Sequence, residues 1–261
     1  MKLTEKKRIV VKVGTSTLTH DTGKTNIARM AKLVSVLADL KNAGHQVVLV
    51  SSGAVGIGAG KLGMRERPDH TSGLQACAAV GQCELMFLYD KLFSEYGVVV
   101  SQLLFTGYTL NHPEEKAHLV DTFNQLLEYD ALPIVNENDS VSVEELLHGD
   151  NDCLSATVAQ LIGADLLILL TDTDGLFDAN PAENEDARLI GRVEEINDDV
   201  YAVAGGAGSK GTGGFTTKIR AAEIATGAGI PVIIMNGERP TAIYKVLDGQ
   251  PIGTYFEANS R

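Results

Sequence analysis

Cysteine is scarce in this chain. Its 261 residues include three, Cys77, Cys83 and Cys153, too few and too unevenly spaced for a disulfide framework or a zinc site. A reduced, cytoplasmic setting is expected. Positive charge is short as well: 22 lysines and arginines against 34 aspartates and glutamates, a formal net charge of −12. So acidic a chain is a poor partner for nucleic acid or an anionic membrane surface, and neither is expected. If it takes an anionic small molecule, a few locally placed lysines must hold it. No stretch approaches the ~20 apolar residues of a membrane span. The start, MKLTEKKRIVVKVG, is charged, and its short apolar run is broken by Lys12; it does not read as a signal peptide. Repeats, low-complexity linkers and a clear domain boundary are also missing. One domain over residues 1–261 is expected, at a length that α/β folds reach as a single unit.

What the chain has instead is a series of short, β-branched apolar runs. They are RIVVKV (8–13), QVVLV (46–50), VVVSQLLF (98–105), LPIVN (132–136), DLLILLT (165–171) and PVIIMN (231–236). Between them lie segments of helical character, 26–43, 74–95, 114–129, 154–163 and 216–228. In the first, Ile27, Met30, Ala31, Val34, Leu37 and Ala38 share a face, and Gly44 is a stop signal. Strands alternating with helices predict βαβ units and a mostly parallel sheet covered on both faces. Segments 178–191 and 204–215 keep neither period and read as loops or hairpin excursions.

Polar clusters follow the apolar runs: KVGTST after the first, SSGAVGIG after the second, NENDSV after LPIV and TDTDGLF after DLLILL. Ligands of open α/β sheets sit outside the carboxyl ends of the strands, so these clusters converge on one crevice. Gly14 and Gly53 let backbone approach a ligand closely, and helix starts beyond them suit anions. A fifth cluster, GTGGFTTK (211–218), brings Lys218 to the start of a helix. Together these features predict a phosphate-rich ligand, a nucleotide. The Walker pattern is absent. G-x-G-x-x-G occurs at Gly58-Gly60-Gly63 and Gly206-Gly208-Gly211, but neither has the strand-then-helix context of a dinucleotide fingerprint.

The segments VVKVGTSTLT, VSSGAVGIG, PIVNENDSV, GDNDCLSA, LLTDTDGLFDANP and GTGGFTTK resemble, in this order, the amino acid kinase family from about residue 8 to about residue 256. NEND together with GDND resembles the branch acting on free L-glutamate; TDTDGLF marks only the wider family. The resemblance implies an α/β fold, a three-layer αβα sandwich with a mostly parallel central sheet, the amino-acid site in the N-terminal half and the ATP site in the C-terminal half. It implies that Lys12 and Lys218 contact the transferred phosphoryl group and that Asp152 holds them in place. Ser52, Gly53, Asn136, Asp139 and Asn151 are the implied glutamate-binding residues. Gly14, Thr171, Asp172, Thr212, Gly213, Gly214, Phe215, Thr216 and Thr217, with the two lysines, are the implied nucleotide-binding ones. ATP is implied with Mg²⁺ bound through its phosphates, so no protein metal ligand is assigned. The family further implies transfer to the γ-carboxylate as the first step of proline biosynthesis, L-proline as a feedback inhibitor, and a homo-oligomer, dimer or tetramer. Two departures stand out. Many members continue into a PUA domain that this sequence lacks, and Phe215 and Phe177 stand where Met and Tyr are expected.

A carboxylate acceptor has an ordinary pKa of ~4.3 and is ionised at neutral pH, so no general base is needed. Bringing two anions together is a matter of positioning and electrostatics. Two rival readings stay open: a sibling kinase acting on acetylglutamate or another acid, and a non-catalytic amino-acid sensor on the same fold. Blander roles also exist for single residues. Lys12 suits a solvated strand end, Asp139, Asp150 and Asp152 suit turn caps, and Ser51 and Ser52 suit a helix N-cap. His45 and His148 read as surface or loop residues, Cys77 and Cys83 as buried packing, and AENED as a solvated loop.

Overall fold

The structure, a computed structural model, describes residues 5–20, 22–141, 151–206 and 214–259. Among them lie eight strands: β1 (Arg8–Val13), β2 (Gln46–Ser51), β3 (Val100–Phe105), β4 (Leu132–Glu137), β5 (Leu166–Thr171), β6 (Arg192–Val193), β7 (Val232–Asn236) and β8 (Thr254–Phe256). The helices among the described residues are α1 (Thr15–Leu18), α2 (Ile27–Asn42), α3 (Ala54–Lys61), α4 (Thr71–Ser94), α5 (Gly107–Asn111) and α6 (Pro113–Glu128), then α7 (Asn151–Ile162), α8 (Asp198–Gly206), α9 (Phe215–Gly227) and α10 (Ala242–Leu247). The chain divides into two compact units, Met1–Lys12 with His148–Arg261, and Val13–Leu147.

In the first unit the strand order is β1-β5-β7-β8-β6. β5 and β7 run parallel, with Leu167 opposite Val232 and Thr171 opposite Asn236. β8 lies antiparallel to β7 and parallel to β6. Every residue of β5 is buried. Alternation has disappeared because both faces of such a strand are covered, as in parallel sheets packed between helices. The amino ends of β1 and β5 are tied by the backbone N–H of Arg8 donating to Asp165 Oδ2 at 2.7 Å and that of Asp165 donating to the Arg8 carbonyl at 2.8 Å. The excursion over 178–191 has a hairpin-like base: Phe177 bridges Leu189, and the N–H of Ile190 donates to the Leu176 carbonyl at 2.8 Å.

In the second unit the order is β3-β4-β2, all parallel. α2 starts at Asn26, whose side-chain oxygen accepts from the Arg29 N–H at 3.1 Å, the cap expected of asparagine. Met30, Leu33, Val34, Leu37 and Leu40 form its buried face, and Gly44, at φ +95°, ends it. Ile27 departs from the expected face and is 59% exposed. A first-turn side chain leans toward the helix start, past the core. α6 opens on Pro113 with Glu114 and Glu115 in its first turn, which suits the helix dipole. It stops at Asp130, whose φ of +57° is the one positive non-glycine value among the described residues, and whose carboxylate pairs with the buried Lys41.

The six apolar runs all become strands, and the five helical segments are helices to within a few residues. The mostly parallel sheet with helices is therefore the α/β architecture expected. Ala204–Gly206 differ from the expected loop, closing α8; the rest of 204–215 up to residue 213 lies outside the described residues.

Candidate active site

In the first unit three charged side chains meet out of solvent. Lys12 stands near the end of β1, Asp152 in the first turn of α7, and Lys218 in the first turn of α9. Lys12 Nζ lies 2.7 Å from Asp152 Oδ1, and Lys218 Nζ lies 3.1 Å from Oδ2. The side chains are 8%, 2% and 10% exposed for Lys12, Asp152 and Lys218. Thr217 Oγ1 donates to Oδ2 at 2.9 Å. Burial alone would raise the Asp152 pKa. The two ammonium groups, with hydrogen bonds from Lys12 and Thr217, outweigh it and hold the carboxyl down at about 2. A carboxylate at a helix start is also favoured by the dipole, while a lysine in the first turn of α9 is opposed by it. Asp152 thus fixes two cations that the local backbone would not gather, and leaves a net positive charge there.

Other residues of the sequence reading lie in the same unit. Asn151, 1% exposed, precedes Asp152 on α7. Gly214 is the N-cap of α9 and offers no side-chain cap; Phe215, Thr216 and Thr217 form its first turn. Thr171 closes β5, buried, and donates to Asp172 Oδ1 at 3.0 Å. Thr212, Gly213, Asp150 and His148, and most of the second G-x-G-x-x-G, lie outside the described residues.

The second unit holds Gly14, Ser52, Gly53, Asn136 and Asp139. Gly14 caps α1. The turn from β2 into α3 is Ser52–Gly53, with Ser52 N–H donating to the Val13 carbonyl at 3.1 Å. Gly53 sits at φ +106° and caps α3 without a side-chain bond. That backbone conformation disfavours any residue with a Cβ. Neither serine caps α3: Ser51 is fully buried, 2.8 Å from the Tyr89 hydroxyl. Asn136, at the end of β4, is 2% exposed. Asp139, three residues on, is 8% exposed, and among the described residues its Oδ1 has no hydrogen-bond partner. Burial raises its pKa to about 6, with Glu137 adding to the rise and Arg67 opposing it.

Sequence reasoning missed Gln82 and Tyr89. Both lie on the buried face of α4, with Leu74, Cys77, Ala78, Gly81, Leu85 and Phe93. The available signal was a glutamine at an apolar-face position. Two bland readings are corrected. Cys83 is exposed while Cys77 is buried, because six residues turn a helix by about 240° and carry the second thiol off the first one's face. His45 is 4% exposed, drawn inside between the end of α2 and β2.

A mostly parallel α/β sheet with a buried carboxylate between two lysines defines the class, and a solved structure shares the fold. Carbamate kinase from Giardia lamblia bound to AMP-PNP superposes with a TM-score of 0.67 over 97% of this chain and 99% of that one, at 16% identity. Residues 7–236 match the amino acid kinase family. Glutamate 5-kinase of Clostridium acetobutylicum is 54% identical over 250 residues, 95% of this chain and 94% of that protein. Glutamate 5-kinase of Moorella thermoacetica is 53% identical over 255 residues, 97% of this chain and 68% of that protein. The chain belongs to the amino acid kinase family and, within it, resembles the glutamate 5-kinases at about half of the aligned positions.

Proposed function

We propose that this protein transfers the γ-phosphoryl group of ATP to the γ-carboxylate of L-glutamate, giving γ-glutamyl phosphate and ADP, the step that opens proline biosynthesis. The observation that carries this reading is the buried Lys12–Asp152–Lys218 cluster in a chain half identical to glutamate 5-kinases. The acceptor carboxylate attacks the terminal phosphorus, and the β–γ bridging oxygen leaves with ADP. The acceptor is already ionised, so the protein supplies charge and placement. Lys12 and Lys218 neutralise the moving phosphoryl group, and Asp152 keeps both ammonium groups in position. Gly14, Thr171, Asp172 and the segment Thr212–Thr217 bind the nucleotide in the C-terminal half of the site, together with the lysines. Ser52, Gly53, Asn136, Asp139 and Asn151 bind glutamate.

Among the described residues no three His, Cys, Asp or Glu gather to hold a metal ion, and Asp152 is occupied by its lysines. The proposal has Mg²⁺ carried by the ATP phosphates, whose charge it would neutralise. No helix among the described residues is long and apolar enough to cross a membrane. Cytoplasmic residence, assembly into a dimer or tetramer, and feedback inhibition by L-proline belong to the same proposal.

The test is direct. Purified protein with Mg-ATP, L-glutamate and hydroxylamine should yield γ-glutamyl hydroxamate and stoichiometric ADP. Hydroxamate from acetylglutamate but not glutamate would move the substrate to a sibling acid. Ligand binding with no hydroxamate from any acid would make the chain a sensor.

A further inference from the structure

Gln82 lies in the middle of α4, 9% exposed, where an amide should have every hydrogen bond satisfied. One half of it is. The Asn136 side-chain nitrogen donates to Gln82 Oε1 at 3.0 Å. The orientation of both amides follows from a backbone group: the Glu137 N–H donates to Asn136 Oδ1 at 3.0 Å. That fixes Nδ2 as the end Asn136 presents to Gln82, which must answer with its oxygen. The Gln82 nitrogen is then turned away, and among the described residues it is buried with no partner. An N–H₂ group cannot accept, so it requires an acceptor.

The second orphan in this unit is of the opposite kind. Asp139 Oδ1 is a buried acceptor without a donor. Gln82 is hydrogen-bonded to Asn136, and Asp139 follows Asn136 by three residues in the chain. Burial of either group unpaired is unfavourable. A single ligand end that carries a carboxylate and an ammonium satisfies both. The packing of α4 serves this placement. A Cβ on Gly81 would lie 1.7 Å from the Ala54 carbonyl oxygen. The helix therefore touches the first residue of α3, which directly follows the Ser52–Gly53 turn, and Gln82 is the next residue along α4.

Building on the glutamate-kinase reading, we propose that Gln82 is a substrate-specificity residue whose side-chain nitrogen donates to the α-carboxylate of the amino acid, while Asp139 takes its α-ammonium. Asn136 acts through Gln82, holding its amide the right way round. The ligand class is thereby narrowed to acids bearing an unblocked α-amino acid head.

The experiment compares wild type, Gln82→Glu and Gln82→Met in the full chain. Glutamate carboxyl keeps an acceptor for Asn136 and replaces the donor; methionine keeps the volume and removes both. Thermal melts confirm folding. KM for glutamate should rise about 10- to 100-fold in either variant, the scale of a hydrogen bond to a charged group, with kcat and KM for ATP nearly unchanged. Competitive inhibition separates binding from a structural role. Glutarate keeps a second carboxylate but lacks the ammonium, and should inhibit wild type better than either variant. 4-Aminobutyrate lacks the α-carboxylate and should inhibit all three proteins equally. Equal KM for glutamate in wild type and both variants overturns the proposal, as does equal weakening of both inhibitors. Wild type that fails to phosphorylate glutamate overturns the function itself, a separate outcome.

Discussion

The carboxylate of Asp152 lies 2.7 Å from the ammonium nitrogen of Lys12, and both are buried. A strand near the start of the chain and a helix beyond its middle are thereby joined through one ion pair, and the other oxygen of the same carboxylate reaches Lys218 at 3.1 Å. Two cations on one anion leave a surplus of positive charge. That surplus is what an arriving phosphoryl group requires.

Removing either cation should therefore act on the chemical step. Lys218→Ala and Lys12→Ala are each expected to lower kcat about 10²- to 10³-fold, the scale of one lost transition-state charge stabiliser. Steady-state kinetics on folded, purified variants checks this. Near-normal kcat in either would take that lysine out of the mechanism.

Asp152→Asn keeps the shape and removes the anion between two ammonium groups. Breaking a buried pair in this way costs about 3–5 kcal/mol of stability, and kcat should fall strongly with a modest change in KM for glutamate. The folded-state pKa is depressed, from 3.8 to about 2. The charge contribution is thus complete above 3.8 and lost as pH falls towards 2. Denaturant unfolding at a series of pH values should show the wild-type advantage over Asp152→Asn shrinking through that window. An advantage that stays constant there would mean the carboxylate is not ion-paired, and a strong KM effect with intact kcat would make Asp152 a substrate ligand.

Much of this could be read from the residues because the central strands are β-branched runs that survive as blocks, each followed by a polar cluster. β6 and β8 were not legible. At two and three residues they carry no period, and their neighbours in the sheet create them. α3 was hidden by three glycines in eight residues, which argue against a helix until the reason for them is seen. Lys12, Asp152 and Lys218 came from motif likeness, but their meeting on one carboxylate is a tertiary fact. Gln82 is the clearest miss: its significance depends on which way Asn136 is turned, and that depends on the backbone of Glu137.

The glycines of α3 and α4 make a prediction of their own. A Cβ at Gly58 would lie 1.8 Å from the Cys77 carbonyl oxygen, and one at Gly81 would lie 1.7 Å from that of Ala54. Both obstacles are backbone and cannot rotate aside. Gly58→Ala and Gly81→Ala should each destabilise by about 3 kcal/mol, the upper range for overpacking. Gly227→Ala, at the end of α9 with nothing within 4 Å of the added carbon, should be neutral or stabilising by up to about 1 kcal/mol. Chemical denaturation of the three variants tests the contrast. Tolerance of alanine at both Gly58 and Gly81 would contradict the close helix crossing.

Asp139 makes opposite demands on folding and on binding, and pH separates them. Its pKa is raised from 3.8 to about 6, by burial first and by Glu137 second, with Arg67 opposing. A raised carboxyl stabilises the fold below 3.8, and that contribution is lost as pH rises through about 6. At neutral pH the ionised group is therefore a liability for folding, and Asp139→Asn should unfold at a higher temperature than wild type. Binding runs the other way, since only the ionised form attracts an α-ammonium. The wild-type kcat/KM for glutamate should fall as pH drops through about 6, reporting the free enzyme, while that of Asp139→Asn should be low and flat. KM for glutamate should rise far more than KM for ATP in Asp139→Ala. The same carboxylate should reject acetylglutamate, whose amide offers no cation, by up to about 10⁴-fold, as sites built around a polar partner do. Equal efficiency on the two acids, or a pH profile shared by wild type and Asp139→Asn, would remove Asp139 from the amino-acid site.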